Sequence, residues 1–192
     1  MHYLESSGGY HLKPREIYQR LMDVGFYSEE RPFISYALNE IDKALTKGQA
    51  VVVVAPPGIG KTAIPFTLSL SILLGYRIAY HVIHAIPLRS IIDHIHKSLN
   101  KKLQEYGYDE EFIVKQYSLV HETPFLQAPY ILTTIDTYTL MLAKIPIGEK
   151  GVGAKTEYNF HGHYELPRSS IYSAINVFDE IHLALENTDP RS

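Results

Sequence analysis

The sequence predicts an α/β fold built on a doubly wound, mainly parallel sheet, and three observations carry that expectation. The run Ala50-Val51-Val52-Val53-Val54-Ala55 is apolar, β-branched and uninterrupted, as strands buried on both faces of a parallel sheet are. A Pro/Gly turn, Pro56-Pro57-Gly58-Ile59-Gly60, follows at once and leads into a helix-length apolar segment. From there to Phe178, strand-like and helix-like segments alternate, which is the order that βαβ units require.

Taken in order, residues 1–14 read as a loose leader with Gly8-Gly9 and Pro14 as breakers. A short helix spans Arg15 to Met22. Arg31-Pro32 punctuates the chain, and Ala37, Ile41 and Leu45 recur at helical spacing until Lys47-Gly48. The strand at 50–55 is followed by a helix from Lys61 to Leu74, stopped by Gly75. Pro65 falls in its first turn, where a missing N–H matters little. A strand at Arg77 to Ile86 and a helix at Ser90 to Tyr106 come next. Phe112 to Leu119, Tyr130 to Thr133 and Ala174 to Phe178 are three further strands. The Gly-, Lys-, His- and Tyr-rich stretch 145–170 lacks periodicity and reads as a mobile insertion. The organisation expected is a leader and short helix over 1–30 and one lobe over 31–192.

Composition narrows the class. The chain has 192 residues, 45% of them hydrophobic and 20% charged, enough apolar mass for one ordinary core. It has no cysteine, which excludes disulfides and thiolate metal sites and fits a cytoplasmic protein. No apolar run approaches the roughly 18 residues that span a bilayer, so no membrane partner is expected. A net charge of −3 does not advertise nucleic-acid binding, but a local groove can still hold phosphates on a mildly acidic protein.

The chemistry is concentrated in two motifs. In Ala55-Pro56-Pro57-Gly58-Ile59-Gly60-Lys61-Thr62, glycines allow a tight turn that aims successive backbone N–H groups at nucleotide phosphates. The helix that follows adds its positive N-terminal end. Pro57, Gly58, Ile59, Gly60, Lys61 and Thr62 are therefore the ATP-binding residues. Lys61 reaches the β and γ phosphates, and the Thr62 hydroxyl ligates Mg2+. In Val177-Phe178-Asp179-Glu180-Ile181-His182, a carboxylate at a strand tip is placed to hold the same Mg2+, and Glu180 to orient and deprotonate the attacking water. The catalytic set is thus Lys61, Asp179 and Glu180, with Thr62 and Asp179 as metal ligands.

Asp179-Glu180-Ile181-His182 resembles the DExH box of superfamily 2 helicases, and Ala55 to Thr62 resembles their motif I. Ala85-Ile86-Pro87-Leu88-Arg89-Ser90-Ile91 looks like motif Ia and Thr133-Thr134-Ile135-Asp136-Thr137 like motif Ib. The wording Ile-Pro-Leu-Arg-Ser followed by Thr-Ile-Asp is most similar to the CRISPR-associated helicases of type I interference systems. The resemblance covers residues 31–185. It implies a RecA-like lobe of an ATP-dependent helicase that grips single-stranded DNA through Arg89 and Thr134, with His182 coupling the nucleotide to a second lobe. That lobe would supply an arginine to the transferring phosphoryl group. The CRISPR branch further implies a guide-RNA surveillance complex as partner.

Three departures qualify what is carried over. The segment Tyr36-Ala37-Leu38-Asn39 lacks the adenine-reading glutamine of many members. The residues before the phosphate loop are too few for the HD nuclease that often precedes it, so that nuclease is expected as a separate polypeptide. Only Leu183 to Ser192 follow the box, so the lobe is expected to be incomplete at its C-terminus, a fragment inactive alone.

The ten histidines do not form a metal site by spacing: His94 and His96 point apart on a helix, and His161 and His163 have no matching carboxylate or cysteine. Lys97, Lys101 and Lys102 read as a solvated helix face. Two other readings are open from the residues: a P-loop kinase or transport ATPase without nucleic-acid stimulation, and a non-catalytic nucleotide-binding module.

Overall fold

The computed structural model describes residues 12–107, 112–117, 120–144 and 165–186. The chain divides into two compact units, Met1–Tyr80 and His81–Ser192.

Among the described residues the first unit holds three helices. α1 (Pro14–Asp23) opens on a proline at its first position, and the Glu16 carboxylate reaches back to the Lys13 N–H at 2.8 Å. Ile17, Tyr18 and Leu21 form its buried face. α2 (Pro32–Leu45) also starts on proline and buries Ile34, Leu38 and Ile41, one turn apart each. α3 (Ala63–Leu73) is buried almost all round, as a helix with apolar residues on every face and no charged one must be. Its interior hydroxyls include that of Ser71, which donates to the Thr67 carbonyl at 2.7 Å. Phe66 of α3 stacks on Phe26, ring centroids 5.3 Å apart. The buried Asp42 accepts from the Tyr76 hydroxyl at 2.7 Å and from Lys13 Nζ at 3.0 Å, so its charge is not left unpaired.

Here the structure corrects the sequence reading. Residues 51–56 form no strand: Val52 and Val54 are 87% and 86% exposed. β-branched composition describes a segment that suits a sheet, but a strand exists only where a neighbour takes its backbone hydrogen bonds. Among the described residues none pairs with it.

The second unit is a five-stranded sheet in the order β3-β2-β4-β1-β5. Its strands are β1 (His81–Ile86), β2 (Ile113–Tyr117), β3 (Val120–His121), β4 (Tyr130–Thr134) and β5 (Ala174–Phe178). β1 lies between β4 and β5, parallel to both, and β2 is parallel to β4. β2 and β3 form an antiparallel pair, so the sheet is mixed, mainly parallel. The expected strand at 77–86 begins only at His81. α4 (Arg89–Glu105) follows β1, and α5 (Ile135–Leu142) follows β4. Ile83, Ala85 and Ile131 pack with Tyr138 and Met141 of α5, with Leu126, and with Ile171 of α6 (Glu165–Tyr172). α6 is a second correction. The expected insertion covers 145–170, yet 165–170 are helical and anchored to the core through Ile171; 145–164, with His161 and His163, lie outside the described residues. α7 (Ile181–Glu186) closes the described part of the unit. No helix among the described residues is long and apolar enough to cross a membrane.

Candidate functional site

In the first unit, Ala55 to Thr62 is a turn that enters α3. Gly58 and Gly60 have φ of 80° and 88°, the left-handed region where a side chain is strained, so both glycines are required by conformation. The Lys61 ammonium folds back to the Ala55 carbonyl at 3.4 Å, bringing its charge over the loop. Thr62 is the residue before α3, and its hydroxyl caps no helical N–H. Pro57 and Gly58 are exposed and Ile59 is half-buried. The loop has a neighbour that sequence reasoning missed. Arg31, just before α2, donates to the Gly58 carbonyl at 3.4 Å, and its guanidinium fills the space a Cβ on Gly60 would need. Its only signal in sequence was Arg-Pro as punctuation.

In the second unit, Asp179 stands at the C-terminal tip of β5. Its N–H donates to the Ala85 carbonyl at 3.0 Å, carrying the pairing with β1 one residue further. The Asp179 Oδ1 accepts from the Glu180 N–H at 3.0 Å. Glu180 itself has φ of 49°, strained for a non-glycine residue and placed at the exit of the strand. Its carboxylate is 3.4 Å from His182 Nδ1, and His182 is exposed at the start of α7. β5 is a sheet edge on which only Ile175 is buried, so the strand that leads to the acidic pair is half-exposed. Phe178 sets its ring edge-on against Tyr138, centroids 5.0 Å apart.

A second missed residue lies behind Asp179. His84, fully buried in β1, points Nε2 at Asp179 Oδ2 across 3.5 Å and holds Tyr130 Oη at 2.8 Å with Nδ1. A histidine between apolar neighbours in the middle of a strand was its signal.

The two residues assigned to nucleic acid lie at the same sheet edge. Ile86 is in register with Thr134, so β1 and β4 end side by side and release α4 and α5 there. Arg89 is exposed at the first position of α4, its guanidinium carbon 5.9 Å from the Tyr117 ring centroid. The Tyr117 hydroxyl donates to Asp93 at 2.7 Å, and Lys115 meets the same carboxylate at 2.9 Å. Together they hold the Asp93 carboxyl below the usual range, while burial, then Asp93, pushes the Tyr117 phenol up to about 12. Thr134 is buried, and its hydroxyl accepts from the Thr137 N–H at 3.2 Å, capping α5. What this corner presents outward is therefore two helix N-termini and a guanidinium.

Magnesium fits this donor chemistry. Among the described residues no three His, Asp or Glu side chains gather at one point, as a protein cage for a metal would need. The Asp179 carboxylate in the second unit and the Thr62 hydroxyl in the first are each the kind of hard oxygen donor that Mg2+ takes together with phosphates and water.

A family model described as DEAD/DEAH box helicase matches residues 36–191. No match is found among curated proteins or among solved structures.

Proposed function

The chain belongs to the DEAD/DEAH box helicase family and is an ATP-binding helicase lobe, and from that premise we propose how its residues divide the work. Gly58, Gly60 and Lys61 hold the nucleotide phosphates; Thr62 and Asp179 are the protein oxygen ligands of Mg2+; Glu180 orients and deprotonates the attacking water. Bound Mg2+ neutralises charge on the β and γ phosphates. The observation that carries this reading is the turn at 55–62, where two left-handed glycines bend the backbone and a lysine folds over the loop, the kind of turn in which backbone N–H groups cradle an anion.

The strand followed is single-stranded DNA, gripped by Arg89 and by the N-termini of α4 and α5. Thr134 contributes by capping α5 rather than by its own hydroxyl, which the helix already uses. Backbone grip of this kind is sequence-independent and weakens with salt. His182 couples the nucleotide to movement. The Ile86-Pro87-Leu88-Arg89-Ser90 and Thr134-Ile135-Asp136 wording supports the finer reading, a cytoplasmic CRISPR type I interference helicase working beside a guide-RNA complex and an HD nuclease.

Calorimetric titration with Mg-ATP tests the core of the proposal. Lys61→Ala should abolish binding, and Glu180→Gln should keep binding while removing any ATP turnover that single-stranded DNA stimulates. Equal affinity of wild type and Lys61→Ala would refute the phosphate loop. Stimulation by RNA but not DNA would refute the choice of strand. Stimulation by a guide-RNA-opened duplex no greater than by an intact one would refute the CRISPR branch.

A further inference from the structure

The strand register places three residues that are far apart in sequence on one face of the sheet. His84 pairs with Leu132 of β4 and with Val177 of β5. Because side chains alternate along a strand, Tyr130, two before Leu132, and Asp179, two after Val177, share the His84 face. The opposite face of β1, with Ile83 and Ala85, is the one packed against α5 and α6. Nothing in β1's place at the centre of a sheet calls for an imidazole; Val82 and Ile86 fill equivalent positions with hydrocarbon. Yet the ring is fully buried, and its Nε2 makes no hydrogen bond of its own. A buried polar N–H without a partner costs about 1–3 kcal/mol. The group it faces is the Asp179 carboxylate at 3.5 Å.

The Asp179 carboxylate selects the tautomer, since the Tyr130 hydroxyl can donate to Nδ1 or accept from it. If the hydroxyl donates to Nδ1, the ring's own proton sits on Nε2 and faces the carboxylate. The opposite tautomer would aim the Nε2 lone pair at a negative oxygen and is disfavoured. The carboxylate then has a donor at each end: Oδ1 accepts from the Glu180 N–H, and Oδ2 faces the imidazole N–H across 3.5 Å.

We infer that His84 is a positioning residue for Asp179, with Tyr130 holding its Nδ1 and the imidazole N–H orienting the carboxylate that ligates magnesium. The inference rests on Asp179 being the magnesium ligand. Hydrogen-bond partners of metal ligands typically contribute 10- to 100-fold in metal affinity, about the size of the effect expected here.

The test uses Mn2+ as a paramagnetic probe, titrated by electron paramagnetic resonance into the chain saturated with ADP. ADP affinity in EDTA is measured alongside, and a merely structural role would move it too. His84→Leu should weaken Mn2+ binding about 10- to 100-fold and leave ADP affinity in EDTA unchanged. His84→Gln, whose side-chain amide N–H can stand near Nε2, should restore most of the loss. Tyr130→Phe should weaken Mn2+ binding to a smaller extent, and it decides the matter if His84→Leu does not fold. Asp179→Asn is the reference. If it abolishes Mn2+ binding while His84→Leu or Tyr130→Phe binds like wild type, the inference fails and the Asp179 reading stands. If Asp179→Asn itself binds Mn2+ like wild type, the Asp179 reading fails and the inference with it.

Discussion

Replacing Gly60 by alanine separates two effects that act together in the phosphate loop. At φ of 88° an L-residue is strained by about 1–2 kcal/mol. The new Cβ would also meet the Arg31 guanidinium, which must swing aside and give up its bond to the Gly58 carbonyl. At 3.4 Å and exposed, that bond is weak, about 0.5–1 kcal/mol. Gly60→Ala should therefore destabilise the protein by roughly 1.5–3 kcal/mol. Gly48→Ala is the control, since Gly48 has φ of 66° with nothing within 4 Å of its added Cβ. Alanine stiffens the unfolded chain equally in both variants, so that contribution cancels in the comparison. Urea unfolding should show Gly60→Ala losing more than Gly48→Ala, and in an Arg31→Ala background the difference should vanish. Mg-ATP affinity should fall with Gly60→Ala and not with Gly48→Ala. Equal losses for the two variants in the wild-type background would refute the Arg31 contact, and unchanged ATP binding would refute the role of the left-handed glycine.

Three further outcomes are expected. Thr134→Ala should cost about 1 kcal/mol in urea unfolding through loss of the α5 cap, and a neutral substitution would contradict it. Burial holds the His81 imidazole below the ordinary histidine value of 6.5, so the folded state keeps it neutral while the unfolded chain takes up a proton. Stability should then be intact above 6.5 and fall as pH drops below it, by up to about 1.4 kcal/mol per pH unit, and His81→Gln should flatten that slope in unfolding measurements. Glu180→Gly should raise the unfolding free energy by up to about 1 kcal/mol by relieving the left-handed backbone, while losing ATP turnover; a loss of stability would argue that no strain resides there.

The sequence by itself determined what neighbouring residues control. The helices at 14–23, 32–45 and 89–105 follow from apolar spacing, the first two also from their proline starts, and the glycines at 58 and 60 from a turn that only glycine makes without strain. The acidic pair after 174–178 was legible for the same reason, since its signal lies within one strand and the turn that follows, and the α/β class was legible from the alternation of such local segments. Tertiary structure decided everything that needs a partner distant in the chain. Val51 to Val54 have a strand's composition and remain outside the sheet, because hydrogen bonding between strands, not propensity, makes a strand. The helix at 165–172 was hidden in a stretch without clear periodicity, and what anchors it is the packing of Ile171 against Ile83 and Ile131. Arg31 reaches Gly58 by the folding of α2's entry onto the loop. His84, Tyr130 and Asp179 meet only because three parallel strands fix their register, and register is set by side-chain burial on both faces of the sheet at once, which no local window of sequence contains.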